Sequence, residues 1–138
     1  MFFKKNKKED EDKNFVKIAS LLIHAAKIDE NFSKTEEKII AEALLKLGAK
    51  NESLESIIKA GKLMEENANQ ILDFTREVKN MDENKKIQII ETLWQIIYSN
   101  KEADIYETNL MRRLAGLLYV DNKTMGDIKE KIKKENSL

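Results

Sequence analysis

Apolar residues recur along this chain at spacings of three and four. Phe15, Ile18, Ala19, Leu22, Ile23 and Ala26 fall on one face of a helix that the pattern carries to about Ile28. The polar stretch from Asp29 to Lys34 interrupts it. Ile39, Ile40, Ala43, Leu44 and Leu47 then mark a second helix, and Gly48 stands where a helix end favours a left-handed residue. Leu54, Ile57, Ile58, Gly61 and Met64 predict a third helix, and Ile71, Phe74 and Val78 a shorter fourth. Asp82 suits the N-cap of a fifth. That helix carries Ile87, Ile89, Ile90, Leu93, Trp94, Ile96 and Ile97 around most of its circumference, which predicts the central, most buried element. A second polar stretch, Ser99 to Asp104, precedes a sixth helix with Leu110, Met111, Leu114, Leu117 and Leu118. Asp121 caps a last one with Met125, Ile128 and Ile132. The pattern predicts an all-α bundle of about seven helices joined by short loops.

Composition agrees with that class. There are no prolines and four glycines in 138 residues, a length that suits one domain. Lys and Arg number 25 and Asp and Glu 25, so no global field draws the chain to nucleic acid or to an anionic membrane. The absence of cysteine excludes disulfides, thiolate metal sites and a Cys nucleophile, and fits a reducing compartment. No run approaches the roughly 18 to 20 apolar residues of a membrane span, and the first residues lack the apolar stretch of a signal peptide. Lys4 to Lys13 are nearly all charged, so residues 1–13 are expected to be a disordered arm, 14–134 the helical domain and 135–138 a tail. Phe2 and Phe3 beside lysines offer at most a weak contact with a membrane surface.

Two segments share a layout: Leu22 to Leu44, and Trp94 to Leu114. Each has an apolar helix, a polar loop with acids, and a capped apolar helix. Ser33-x-x-Glu36 reads as a capping box, and Asp104-x-x-Glu107 takes the same role in the second segment. Seven positions before Glu36 stands Asp29, and seven before Glu107 stands Asn100. An internal duplication would bury two apolar faces against each other about a pseudo-twofold axis.

On these residues the chain resembles the TerB-like family of tellurite-resistance proteins, including the related N-terminal domain of membrane-anchored DnaJ-like co-chaperones. That family pattern is an apolar helix ending in Ala-Asp-Gly, a hydrophobic residue, then Glu opening the next helix, occurring twice. Ala26 through Glu36 fits the first copy. Ser99 through Glu107, followed by Leu110 to Leu118, fits the second, and the resemblance spans roughly residues 15–134. Both glycines are replaced, by Glu30 and Lys101, and the second Asp is Asn100. The resemblance implies an all-α cytoplasmic bundle tied to stress or tellurite resistance, without enzymatic activity. It also implies a divalent cation (calcium, magnesium or manganese) at acidic residues, here Asp29, Glu36, Asn100 and Glu107. Oxygen ligands of that kind suit a hard cation. Capping alone accounts equally for Glu36 and Glu107, and both readings stand at this point.

Other chemistry is sparse. Asp29, Asn31 and Ser33 alternate as in the opening of an EF-hand, but Lys34 replaces the sharp-turn Gly and Ile40 the bidentate Glu. His24 is the only histidine and is expected to pack at the edge of the apolar face. Gly48, Gly61, Gly116 and Gly126 form no phosphate loop. Trp94 and Tyr98 read as core. Lys129, Lys131, Lys133 and Lys134 form a basic stripe broken by Glu130 and Glu135 and without interleaved aromatics, so no nucleic-acid partner is expected. The chain is expected not to be an enzyme but a module that docks a protein partner or forms a homodimer. The alternative is a scaffold or co-chaperone-type interaction domain whose acids only cap helices.

Deleting residues 1–12 is expected to leave the melting temperature almost unchanged, because so charged a stretch buries little apolar surface to offset its ordering entropy. Thermal unfolding of the truncated chain checks this. A fall of many degrees would show that the stretch packs.

Overall fold

The fold was obtained as a computed structural model, which describes residues 2–27, 33–68, 72–99 and 105–136, with the side chains of 2–12, 72–73, 105–108 and 136 outside that description. Seven α-helices and one 3₁₀ turn, and no strand, occur among the described residues. They are α1 (Phe2–Ala26), α2 (Lys34–Lys46), α3 (Leu54–Asn67), α4 (Leu72–Lys79), α5 (Glu83–Tyr98), α6 (Ile105–Leu117) and α7 (Asn122–Asn136), with the 3₁₀ turn at Asn51–Ser53 leading into α3. The all-α class and the helix order match the expectation from periodicity. α1 differs at its start. Its helical backbone begins at Phe2 and takes in the charged stretch expected to be an arm. Lys, Glu and Asp are tolerated in a helix once a downstream nucleus exists.

Two helices share the centre rather than one. From Ile18 to Ala26 every side chain of α1 is buried except that of His24, and α1 packs on α2, α3, α4 and α5. Periodicity understates this helix, because Ala19, Ser20, Ala25 and Ala26 are small and add little to an apolar stripe. α5 is the second central element, burying Ile89, Ile90, Leu93, Trp94, Ile96 and Ile97. Trp94 is 3% exposed, as a core position demands. It stacks on Tyr98 at 5.8 Å between ring centroids, and Lys129 of α7 lies 5.4 Å from its ring centre. Its indole Nε1 is buried with no hydrogen-bond partner. These contacts place it on the α7 side of α5. Burial, and secondarily the carboxylate of Glu130, push the neighbouring Tyr98 phenol above its usual range.

The tightest joint lies between α1 and α3. A methyl group on Gly61 would fall 2.9 Å from the Ala19 Cβ, closer than real Cβ contacts come, and 3.4 Å from the Ser20 backbone nitrogen. Glycine there lets the two helices approach. The single proton of the Ser20 hydroxyl has two carbonyl acceptors, Val16 at 2.8 Å and Gly61 at 3.1 Å, which satisfies a buried hydroxyl at the joint. At the rim, Glu65 of α3 receives Lys27 at 2.8 Å and faces the His24 ring nitrogen at 3.3 Å.

The helix ends obey local chemistry. Asp82 accepts from the Lys85 N–H at 2.9 Å at the start of α5, and Asp121 accepts from the Thr124 N–H at 2.6 Å at the start of α7. Hydrogen bonds from Thr124 hold the Asp121 carboxyl below the usual carboxylate range. α2 closes in a Schellman turn, with Gly48 N–H on the Leu45 carbonyl and Ala49 N–H on that of Leu44. α6 closes with the same pair of bonds, Tyr119 to Gly116 and Val120 to Ala115. The interval from Gly48 to Tyr119 equals that from Glu36 to Glu107. The left-handed position is glycine in the first turn (φ 112°) and tyrosine in the second (φ 56°). A left-handed residue bearing a Cβ costs roughly 1–2 kcal/mol.

Gly61→Ala is expected to destabilise the protein by about 1–3 kcal/mol through overpacking against Ala19, despite alanine's better helix propensity. Denaturant unfolding of the variant checks it, and a gain in stability would mean that α1 and α3 separate freely. Trp94→Ala is expected to cost about 3–5 kcal/mol through lost burial and the cavity left behind. The wild-type tryptophan emission should be blue-shifted, and water-like emission would contradict the burial of this side chain.

Candidate functional site

The acidic loops enter the described structure through Glu36. Ser33, in extended conformation, is the N-cap of α2. Its hydroxyl accepts from the Glu36 N–H at 3.1 Å, and Glu36 Oε1 accepts from the Ser33 N–H at 2.9 Å. The capping box read from Ser33-x-x-Glu36 is therefore formed. The Glu36 residue is also only 1% exposed, unusual for a glutamate whose capping role a surface position would serve as well. Ionised carboxylates enter protein interiors only where positive charge or hydrogen-bond donors compensate the lost water. The Ser33 N–H is one such donor.

Of the other three candidate residues, Asp29 and Asn100 lie outside the described residues. Glu107 falls in α6 by its backbone, with its side chain outside the description. Asp104, expected to open the second capping box, lies outside as well. Among the described residues no three Asp, Glu or His side chains converge as a metal would need. The donor types suit a hard cation nonetheless: three carboxylates and one amide oxygen, with the one described member buried at the foot of the loop.

His24 lies where it was expected, at the edge of the apolar face, partly exposed. Its ring is 6.1 Å from that of Phe74 and its Nδ1 faces Glu65. It bridges elements instead of serving as an isolated ligand.

A second feature was not singled out in the sequence. A cleft of about 600 Å³ opens between α1, α4 and the turn after α6, lined by Lys17, Thr75, Arg76, Lys79, Gly116, Leu117 and Tyr119. Arg76 and Lys79 lie three apart on α4 and so share a face. Lys79 Nζ sits 4.6 Å from the centre of the Tyr119 ring, a cation–π distance. Lys17 reaches across from α1 and binds Glu77 at 2.8 Å. The signal in sequence was faint. It consisted of two cations in the last turn of a short helix, and a tyrosine where the earlier, matching turn has glycine.

No helix among the described residues is long and apolar enough to cross a membrane. Searches of curated proteins and of solved structures each found no match. The family model described as Tellurite resistance protein TerB matches residues 15–130. That span runs from the first buried turn of α1 into α7 and covers most of the chain. With the helix order and the capped helix after the first acidic loop in place, the chain belongs to the TerB family.

Proposed function

We propose that this protein is a non-enzymatic binding module of TerB type, acting in tellurite resistance or a related stress response, in which the acidic loops hold a divalent cation. The observation that carries the reading is the burial of the Glu36 carboxylate at the end of the first loop. Asp29, Glu36 and Glu107 would supply carboxylate oxygens and Asn100 an amide oxygen, a set suited to calcium, magnesium or manganese. The ion's contribution would be electrostatic: it would compensate the carboxylates and hold the two loops in one arrangement for a protein partner. A non-catalytic role is supported by the lack of a thiol and by the setting of the only imidazole, His24, which faces Glu65 and Phe74.

The formed capping box favours a second reading, in which Glu36 serves helix structure alone and the module is a scaffold or co-chaperone-type interaction domain without metal. Glu36→Gln separates the two, since glutamine still serves at the third helical position but lacks the charge that a hard cation requires. If the loops bind metal, calcium, magnesium or manganese at 100 times its dissociation constant raises wild-type stability by about 2.7 kcal/mol. Glu36→Gln and Asp29→Asn should lose most of that increment. Thermal shift and titration calorimetry check it. No heat and no stabilisation at millimolar metal would leave the capping reading in its place.

A further inference from the structure

We propose that the cleft between α1, α4 and the α6–α7 turn binds an organic phosphate bearing a planar ring, of the mononucleotide class. The acidic-loop reading does not bear on this cleft, which is built from other residues. Three cationic side chains, Lys17, Arg76 and Lys79, line it together, and no carboxylate is among its lining residues. In a chain of zero formal net charge that is a local concentration of one sign. Lys17 is partly compensated by Glu77 at 2.8 Å. Arg76 is exposed and forms no ion pair among the described residues, and Lys79 is held over an aromatic ring rather than by an acid. Arg76 and Lys79 are thus the cations left to an anion, and the guanidinium fork of Arg76 matches phosphate oxygens two at a time.

Tyr119 points to the rest of the ligand. It takes the left-handed backbone position that the matching turn gives to glycine, and a bulky residue there is strained. That strain is not compensated by burial, since Tyr119 is 71% exposed. What the side chain contributes is an aromatic face at the mouth of the cleft, next to Lys79. A phosphate that draws Lys79 off the Tyr119 ring would free that face for an attached planar ring, where stacking holds a nucleobase without reading its edges. Gly116, an exposed lining residue, has room for a side chain, since a Cβ there would meet nothing within 4 Å. The volume of about 600 Å³ lies within the range of small-molecule sites.

The test titrates the full chain separately with AMP and with inorganic phosphate, following backbone amide shifts by NMR. Saturable shifts with AMP should be confined to residues around Lys17, Thr75 to Lys79 and Gly116 to Tyr119. AMP should bind more tightly than phosphate. Arg76→Gln should weaken both ligands by roughly tenfold, the scale of one charge-assisted hydrogen bond. Tyr119→Gly, which relieves the left-handed strain and so should keep the fold, should weaken AMP by roughly fivefold or more while leaving phosphate within about twofold. Gly116→Leu, filling the cleft from an open position, should abolish the saturable shifts. Shifts that never saturate, or that spread equally over the basic face of α7, would overturn the proposal. So would Arg76→Gln binding as wild type. Equal affinity for AMP and phosphate, or no effect of Tyr119→Gly on AMP, would overturn the assignment of a ring-bearing ligand.

Discussion

The rest of this fold depends on how closely α1 and α3 approach at Ala19 and Gly61. Helices ordinarily pack with their axes 8–10 Å apart, set by the side chains between them. Here one of the facing residues is glycine and the other alanine, with the Ser20 hydroxyl shared between the helices as a hydrogen bond to the Gly61 carbonyl. Bringing α3 in this close buries the side of α1 that carries Ala19, Ser20 and Ile23. α2, α4 and α5 then cover the remaining sides. The second half of a helix that periodicity reads as amphipathic, Ile18 to Ala26, becomes buried on every side except at His24.

The turns that close α2 and α6 share their hydrogen bonding and differ at one position. α1 packs on α3 and α5 on α7. α2 and α6 end in turns with identical hydrogen bonding, the buried pairs Leu44 with Ala49 and Ala115 with Val120 lying beneath them. Divergence shows at the left-handed position. Glycine at 48 adopts it freely. Tyrosine at 119 does not, and its ring projects beside Lys79 instead of into the core. The turn that closes α6 thereby forms part of a cleft wall. The equivalent residue after α2 has no side chain to contribute.

Glu36 combines a capping role with burial. Its role at the third helical position requires a side-chain oxygen near the Ser33 N–H. That role does not require burial, because capping boxes form at exposed helix ends. Burial puts the carboxyl where water screens poorly, so a charge there would interact more strongly with a cation than it would at the surface.

Much of the fold was legible in the sequence, and the reason is local. The spacing of Ile39, Ile40, Ala43 and Leu44 selects helix. Ser33 and Glu36, Asp82 and Asp121 begin helices through bonds that span three residues, and Gly48 ends one through φ alone. These depend on near neighbours in the chain, so a string of residues contains them. The TerB resemblance was likewise carried by contiguous segments, and the family match over residues 15–130 agrees with it. What only the tertiary structure decided joins residues far apart: the burial of α1 from Ile18 to Ala26, the position of Trp94 against α7, and the gathering of Lys17, Arg76, Lys79 and Tyr119 into one cleft. Side-chain periodicity states which face of a helix is apolar. Which neighbour covers that face, and which cations meet across a gap, depends on crossing angles and close approaches set by single small residues such as Gly61, and these leave no periodic trace in the chain.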